Sequence, residues 1–351
     1  MAYTTIDNPE LYFQTKLYTA NDSGQAITFD GSENMSPNWV WIKSRTDTNS
    51  HNLWDSVRGV NKYLEADTTK ANTTVSNGVT SFDANGFTVG NRDAINDGSL
   101  SFASWNWKAG TSFSNDASAT GVGTIDSAGS INTTAGFSII TWTGNATSSS
   151  SVAHGLGAVP KAIFTKNLDN GSQPWKCYFS GVGNAKYLQL NTADEPATSG
   201  VWSSTTPTSS IINISNDTGI NGSGNTILAY CFTDIKGYSK CGSYTGNGNA
   251  SGAFIFTGFR PAFILTKGTH SGGHSWNLLD TKRNTFNPAD KRITPDTSNT
   301  EATTTQYDIL SNGFKAKATT GAVNTSGATY VYLAFAESPF VNSNGVPNNA
   351  R

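Results

Sequence analysis

Short runs of apolar residues, separated by polar and turn-forming residues, recur along the entire chain. In Asn38–Lys43 the side chains of Trp39 and Trp41 would lie on one face of an extended strand, with Val40 and Ile42 on the other. Asn-Gly and Asp-Gly dipeptides, which favour hairpin turns, separate several such runs. Because short strand-like runs follow one another without a helical period, the pattern predicts an all-β protein built from sandwiches or barrels.

One pattern occurs three times along the chain. Each copy contains an aromatic residue followed by Thr, a small residue and Asn, and each ends in a strand that is led by a proline and closed by a lysine; the copies are Tyr18–Lys43, Trp142–Lys166 and Ser243–Lys267. We interpret each copy as two strands joined by a tight turn. A repeat of roughly 100 residues predicts three tandem β-sandwich domains of jelly-roll-like form, since a unit of that length can hold its own core.

The repeat divides the chain into six predicted segments. They are an N-terminal arm (1–17), a first repeat (18–111), a connector rich in Gly, Ser and Thr (112–135), a second repeat (136–237), a third repeat (238–340) and a C-terminal tail (341–351). We expect the arm to add a strand to a sheet or to dock on a partner. The connector is either flexible or, as its recurring apolar residues favour, extended in its second half along a neighbouring sheet. The tail is expected to be loosely held.

Composition and charge exclude some classes of partner. The net charge is −2 and only 14 % of residues are charged, so the chain lacks the excess of basic residues that would attract nucleic acid or an anionic membrane. No apolar run approaches the roughly 20 residues that span a bilayer, so membrane insertion is not expected. The N-terminal residues lack the basic and apolar regions of a signal peptide, and we expect synthesis in the cytoplasm.

The three cysteines are an odd number, which does not suit a disulfide framework. We predict buried free thiols at Cys177, Cys231 and Cys241, and a pairing of Cys231 with Cys241 is the alternative.

The candidate catalytic and metal-binding motifs are few. The chain has no phosphate-binding loop, no His-Glu-x-x-His helix and no Gly-x-Ser-x-Gly elbow. His270 and His274 are the only close histidine pair, and a metal site would need further ligands near them. We therefore interpret their Gly-rich loop as solvated and expect neither a metal nor a cofactor.

An Asp-x-x-Arg motif occurs in two of the three repeats. Asp55 and Arg58 in the first correspond to Asp280 and Arg283 in the third, whereas the second has Phe179 and Val182 there. Catalysis would require a second carboxylate, a base or a nucleophile at a defined distance. The motif is therefore predicted to be an ion pair that fixes a turn.

Tryptophan is frequent, with nine residues. Those at recurring aromatic positions are predicted to pack in the core. Trp175 and Trp276 fall in predicted loops, where an exposed indole could stack on a sugar ring or anchor an interface. Together with His270 and His274 they are the candidate ligand or receptor contacts.

Several motifs, occurring in one order along the chain, resemble the repeat proteins encoded among the virion genes of tailed bacteriophages, many of them from marine and cyanobacterial hosts. The runs that carry the resemblance are Ile6–Thr19, Ser36–Arg45, Asp55–Val60, Thr80–Gly90, Ala103–Gly110, Thr133–Asn145 and His154–Lys161. Such proteins are usually labelled as tail-fibre, receptor-binding or uncharacterised structural proteins. The resemblance implies no catalytic residues, and we expect the protein to lie on the surface of the virion.

The leading hypothesis is a non-enzymatic virion structural protein, first as a tail-fibre or host-adhesion component and second as a head or capsid decoration. Its partners would be other virion proteins and a host surface glycan or receptor. We also expect a homo-oligomer, with a trimer as one option. A carbohydrate-binding module is the alternative from another class, and it requires aromatic side chains aligned on an exposed face. A glycan hydrolase would require a pair of carboxylates in a cleft, and the acidic residues are scattered singly.

Overall fold

The computed structural model describes residues 3–349. Strands account for 43 % of the chain and helices for 4 %, which confirms the predicted all-β class. The strands form antiparallel ladders throughout the three largest regions of sheet. Among the described residues, no helix has the length and apolar character needed to cross a bilayer.

Unit 1 comprises the strands between residues 13 and 107. They are β1 (Phe13–Thr19), β2 (Gln25–Thr28), β3 (Trp39–Ser44), β4 (Asn52–Asp55), β5 (Lys62–Glu65), β6 (Thr73–Thr74), β7 (Val79–Asp83), β8 (Gly86–Val89) and β9 (Ser101–Trp107), with a 3-10 helix at Pro9–Leu11 and α1 at Asp93–Asn96. The inner sheet has the order β1-β9-β3-β4-β5-β6, and the outer sheet has the order β2-β8-β7. The predicted Asn85–Gly86 turn does join β7 to β8, with Asp83 paired to Gly86.

Unit 2 comprises the strands between residues 111 and 232. They are β10 (Thr111–Asn115), β11 (Ser127–Asn132), β12 (Phe137–Thr143), β13 (Ser150–Ala153), β14 (Ala162–Asn167), β15 (Lys176–Phe179), β16 (Lys186–Tyr187), β17 (Ala197–Thr198), β18 (Ile211–Ile214) and β19 (Thr226–Phe232), with α2 at Ala117–Thr120 and α3 at Thr218–Asn221. The inner sheet has the order β10-β11-β12-β19-β14-β15. The outer sheet pairs β13 with β18, and β16 pairs with β17 separately.

Unit 3 comprises the strands between residues 239 and 339. They are β20 (Ser239–Thr245), β21 (Phe254–Phe256), β22 (Phe259–Gly268), β23 (Asn277–Asp280), β24 (Ala289–Arg292), β25 (Ala302–Leu310), β26 (Gly313–Ala316) and β27 (Thr329–Pro339). The inner sheet has the order β20-β27-β22-β23, and the outer sheet has the order β21-β26-β25-β24.

The two strands predicted as a tight hairpin in each repeat do not pair with each other. In unit 3, β20 and β22 both pair with β27, which lies between them. The chain between them crosses to the outer sheet as β21 and then returns. The same arrangement places β9 between β1 and β3, and β19 between β12 and β14. The prediction of a hairpin is therefore wrong, because the local pattern does not show that the last strand of each unit inserts between the two.

The strand registers of the three units match position by position. The strands β3, β14 and β22 each pair with the central strand of their unit, β9, β19 or β27. In each pairing one residue lies opposite the last aromatic residue of the central strand: Trp39 opposite Trp107, Ala162 opposite Phe232 and Phe263 opposite Phe335. Residues that occupy the same place in this register are called corresponding residues below.

The predicted arm is part of the fold. β1 pairs with β9 along its whole length, which confirms the expected added strand, and the predicted boundary after residue 17 falls inside it. Residues before β1 lie against unit 3, where the Tyr3 hydroxyl donates to the Gly258 carbonyl at 2.9 Å. Residues 1 and 2 of the predicted arm lie outside the described residues. The N-terminal segment thus connects unit 1 to unit 3.

The predicted connector and tail are also held. β10 and β11 extend the inner sheet of unit 2, so the extended alternative for the connector is confirmed. In the tail, the backbone amide of Ser343 donates to the Asp7 carboxylate at 2.7 Å. The Asn348 side chain donates to the Pro339 carbonyl at 2.8 Å, so the tail is bound where we expected it to be loose. Residues 350 and 351 lie outside the described residues.

Each unit encloses a core between its two sheets, and a further core lies between the inner sheets of all three units. In β3, Val40 and Ile42 point into the unit 1 core, whereas Trp39 and Trp41 point into the shared core. Like β3, the strands β4, β14, β15 and β23 are buried along their whole length and therefore on both faces. The three units share one interior and are not independent domains joined by linkers.

Aromatic rings fill much of the shared core. Trp39 of unit 1 stacks on Tyr230 of unit 2 with ring centroids 4.2 Å apart. Phe232 of unit 2 meets Phe335 of unit 3 edge-on at 5.7 Å, and Phe13 of unit 1 stacks on Phe335 at 5.3 Å. Each pair of units is therefore joined by direct aromatic contact.

Candidate functional site

The two tryptophans predicted as ligand contacts lie in the interior. Trp175 and Trp276 each have 0 % exposed surface. The Trp175 indole N–H donates to the carbonyl of Glu65 in unit 1 at 2.8 Å, and the Trp276 indole N–H donates to the carbonyl of Gln189 in unit 2 at 2.9 Å. The prediction of surface contact is wrong for both residues, because a neighbouring unit covers each loop and supplies a partner for the indole.

His51 is the corresponding residue in unit 1, and it makes the third contact of this kind. Its Nδ1 accepts from the Trp41 indole at 2.8 Å, so its Nε2 carries the proton and donates to the carbonyl of Thr294 in unit 3 at 3.1 Å. Burial, reinforced by the nearby charge of Lys43, lowers the pKa of His51 well below its ordinary value, so the ring is neutral. The three contacts run from unit 1 to unit 3, from unit 2 to unit 1 and from unit 3 to unit 2, and they close a ring.

Two of the three recurring lysines join the same pairs of units. Lys166 of unit 2 donates to the carbonyl of Thr69 in unit 1 at 2.9 Å, and Lys267 of unit 3 donates to the carbonyl of Ala193 in unit 2 at 2.8 Å. Lys43 donates to the Asp47 carbonyl in its own loop at 2.9 Å. Burial lowers the pKa of all three ammonium groups to about 8. The lysines of the repeat therefore tie loops and units together.

The predicted ion pairs are confirmed, and each receives a donor from the next unit. Asp55 lies 2.6 Å from Arg58, and its carboxylate accepts from the Tyr230 hydroxyl of unit 2 at 2.7 Å. Asp280 lies 2.5 Å from Arg283 and accepts from the Trp105 indole of unit 1 at 3.0 Å; both pairs are buried.

The corresponding positions at the remaining contact are apolar. They are occupied by Phe179, Val182 and Leu333, which pack in or against the shared core. At the position of the ion pair, two of the three contacts between units are thus polar and the third is apolar.

His270 and His274 are partly buried in their loop. Their rings stack with centroids 4.8 Å apart, and His270 packs against Tyr330 at 5.4 Å. The carbonyl of His274 accepts from the Lys267 ammonium. Burial, followed by the charges of His270 and Lys267, lowers the pKa of His274. Within residues 3–349, no cluster of three or more His, Cys, Asp or Glu side chains could hold a metal ion.

A family model matches residues 8–339, from the turn before the first helix to the last residue of β27. The chain belongs to this family, which is described as a domain of unknown function (DUF7483). No curated protein and no solved structure matches the chain. The DUF7483 match covers strands of all three units and not a single sandwich.

The most exposed large apolar side chains of the described DUF7483 chain lie in unit 3 and the tail. Phe254 and Phe256 in β21 are each 48 % exposed, Phe286 is 81 % exposed, and Val346 lies in the tail. This surface was not predicted from the sequence, because only tryptophans and histidines were selected there as candidate contacts. The signal was present in the alternation of β21, where Ile255 points into the core and both phenylalanines point outward.

A groove of about 400 Å³ adjoins Phe256. It is bounded by the N-terminal Tyr3, by the segment that leads from unit 2 to unit 3 and by the end of β21. The Lys240 ammonium lies 5.4 Å from the centre of the Phe256 ring, and that of Lys236 lies 4.5 Å from the Tyr3 ring. This surface presents apolar rings beside cations, and it can bind a partner that offers both apolar groups and hydrogen-bond acceptors.

Proposed function

We propose that this protein is a non-enzymatic structural component of a tailed-bacteriophage particle, displayed on its surface as part of a tail fibre or another host-adhesion device. The observation that carries the proposal is that the polar side chains which looked functional form contacts between the units. The loop residues that vary between copies, including His51 and Trp175, form hydrogen bonds with a neighbouring unit. Asp55 and Asp280, the repeated acidic residues, are buried against arginines.

The architecture suits exposure on a particle. A shared core and closed contacts between units give a rigid body, and low charge with many Ser, Thr and Asn residues tolerates solvent. Many copies on one particle convert weak single contacts into strong attachment through effective concentration. The motifs that resemble tailed-phage virion proteins run through this same body, from the N-terminal segment into unit 2.

A head or capsid decoration is the second form of the proposal, since the same rigid body could sit on a capsid lattice. The carbohydrate-binding alternative depended on exposed tryptophans. All nine tryptophans are buried, so that platform is missing, and any glycan contact would involve other side chains.

The test is to locate the protein in purified particles of a phage that encodes it. Mass spectrometry should detect the chain among virion proteins, and cryo-electron microscopy should show the three-unit body on the tail. Density on the capsid lattice would select the decoration role. Absence of the chain from purified particles would overturn the structural proposal. In a separate assay, an excess of the purified protein should compete with particles for adsorption to host cells if the role is adhesion.

A further inference from the structure

The edge of the outer sheet in unit 3 differs from the two corresponding edges. β21 is the edge strand of this sheet and pairs only with β26. Phe254 lies opposite Lys315 and Phe256 lies opposite Gly313, and both rings face solvent. An exposed edge strand offers backbone donors and acceptors to another strand, and two adjacent phenylalanines add an apolar face to it.

The corresponding edge in unit 1 carries small side chains. Ile27 in β2 corresponds to Ile255, because each lies opposite a buried phenylalanine of the next strand. The flanking outward residues are Ala26 and Thr28, both exposed. The aromatic pair therefore belongs to unit 3 and is not required by the fold of the sheet.

The corresponding edge in unit 2 is covered by another segment of the chain. Ile125 forms a parallel bridge with Val152, the residue that corresponds to Ile255. The amides of Thr124 and Ile125 donate to the Ser151 carbonyl at 2.8 and 3.1 Å. The Ser127 hydroxyl donates to the Ala153 carbonyl at 2.8 Å. An extended segment with hydroxyl and β-branched side chains thus completes this edge.

The backbone of β21 presents the same acceptors on the same side. The Phe256 carbonyl, which corresponds to that of Ala153, accepts from the Lys240 ammonium at 3.1 Å. It therefore points away from β26. The Phe254 carbonyl lies two residues earlier and faces the same side, because backbone groups alternate along a strand. It corresponds to the Ser151 carbonyl, which takes two amides in unit 2.

We propose that β21 is the docking edge for an extended segment of a partner protein with apolar and hydroxyl side chains, which pairs with the backbone of β21 as residues 124–127 pair with β13. Its apolar side chains cover Phe254 and Phe256, and its backbone meets the two outward carbonyls. Lys240 guards this edge in the free protein, as lysines do on many exposed strands, and its ammonium moves aside or caps the incoming strand. This proposal does not depend on a virion role, since it rests on the sheet edge alone.

The probe is a synthetic peptide with the sequence of residues 120–130, in which Asp126→Asn removes the only charge. Hydrogen–deuterium exchange of the full chain is measured with and without the peptide, and fluorescence anisotropy gives the affinity. We expect protection confined to residues 250–258. The same peptide with Ile125→Pro lacks an amide needed for pairing and should bind about tenfold more weakly or not at all.

The matched protein variant is Phe254→Ala with Phe256→Thr, which installs the residues of unit 1. We expect its affinity for the peptide to fall by about tenfold or more, with thermal unfolding unchanged. Phe286→Ala removes a more exposed ring elsewhere and should leave binding intact. Equal binding by the double variant, or absence of protection in the unmodified protein at millimolar peptide, would overturn the proposal. Self-association of the peptide-free protein that the double variant abolishes would also overturn it, since a second copy would then occupy the edge.

Discussion

At the scale of single residues, burial decides the role of the groups that look reactive in the sequence. The three cysteines are free and buried, as predicted, and burial raises the pKa of Cys231 to about 12. Such thiols remain protonated at neutral pH and are poor nucleophiles. His51, Lys166 and Lys267, which lie at the contacts between units, likewise form hydrogen bonds with backbone carbonyls. Their chemistry is used to satisfy buried polar groups at the contacts between units.

Replacing Trp175 with Phe tests the importance of one contact in the ring. The substitution keeps an aromatic ring but leaves the Glu65 carbonyl without its indole donor, so the free energy of unfolding should fall by about 1–3 kcal/mol. Trp202→Phe is the control, because the Trp202 indole nitrogen is buried without a hydrogen-bond partner. Urea unfolding followed by circular dichroism measures both. An equal or greater loss for Trp202→Phe would contradict the assigned role of Trp175.

The buried lysines predict a pH dependence above neutrality. Their pKa is about 8 in the folded chain against an ordinary value of 10.5, so between these limits the unfolded chain binds more protons than the folded one. The free energy of unfolding should therefore rise as pH increases from 8 toward 10. Above 10 the buried tyrosines, whose pKa is raised, reverse the trend. Urea unfolding at several pH values measures the slope, and Lys166→Met should make it shallower. A flat profile that this variant does not alter would contradict the argument.

His51 and His154 predict a loss of stability at acidic pH. Burial lowers the pKa of His154 to about 4, and that of His51 falls well below 6.5, so the unfolded chain takes up protons first as the solution is acidified. The free energy of unfolding should decline as pH falls below about 6.5. His51→Phe removes one titrating group, and its decline over pH 6.5–4.5 should be smaller when both proteins are followed by thermal unfolding. An unchanged slope would show that His51 is charged or exposed.

At the scale of elements, corresponding positions at the contacts between units are filled either by a buried ion pair or by apolar side chains. The triad of Asp55, Arg58 and Tyr230 at one contact corresponds to Phe179, Val182 and Leu333 at another. A buried ion pair is often replaceable by apolar residues, whereas loss of one partner leaves a buried charge. Phe179, Val182 and Leu333 therefore show which apolar residues could replace the ion pair and its tyrosine.

The corresponding experiment compares one variant that breaks the pair with one that replaces it. Asp55→Ala should lower the free energy of unfolding by about 3–5 kcal/mol, because Arg58 loses its partner. The triple variant Asp55→Phe, Arg58→Val and Tyr230→Leu should be close to the parent in stability or exceed it by about 1–4 kcal/mol. Denaturant unfolding distinguishes them. A triple variant as unstable as Asp55→Ala would mean that the three apolar residues do not transfer between contacts.

Several elements could be predicted from the sequence because local patterns determine them. The strand at Trp39–Ser44, the turn at Asn85 and the ion pairs at Asp55 and Asp280 follow from alternation, turn chemistry and repetition. The false hairpins and the false exposure of Trp175 have a common cause. Each depends on a segment distant in sequence, which a local pattern cannot identify. The aromatic edge of β21 was open to prediction by comparing the outward positions of the three copies.

At the scale of the whole molecule, cooperativity should follow from the shared core. A fragment of residues 111–232 contains all strands of unit 2, yet its inner sheet would expose the face that carries Phe137, Phe164 and Tyr230. We expect this fragment to bind a hydrophobic dye and to lack a sharp thermal transition, whereas the full chain unfolds in one step. Calorimetry and dye fluorescence test this. A stable, monomeric fragment with a sharp transition would restore the interpretation as independent tandem domains.

One polypeptide forms all three units of the ring, so the three contacts between them need not contain the same residues. In an assembly of identical subunits every substitution appears at each interface at once, so all interfaces must accept it. Here His51 makes one junction, and the indoles of Trp175 and Trp276 make the other two. A substitution can therefore change one junction alone, and one unit can carry an outward aromatic edge that the other two lack.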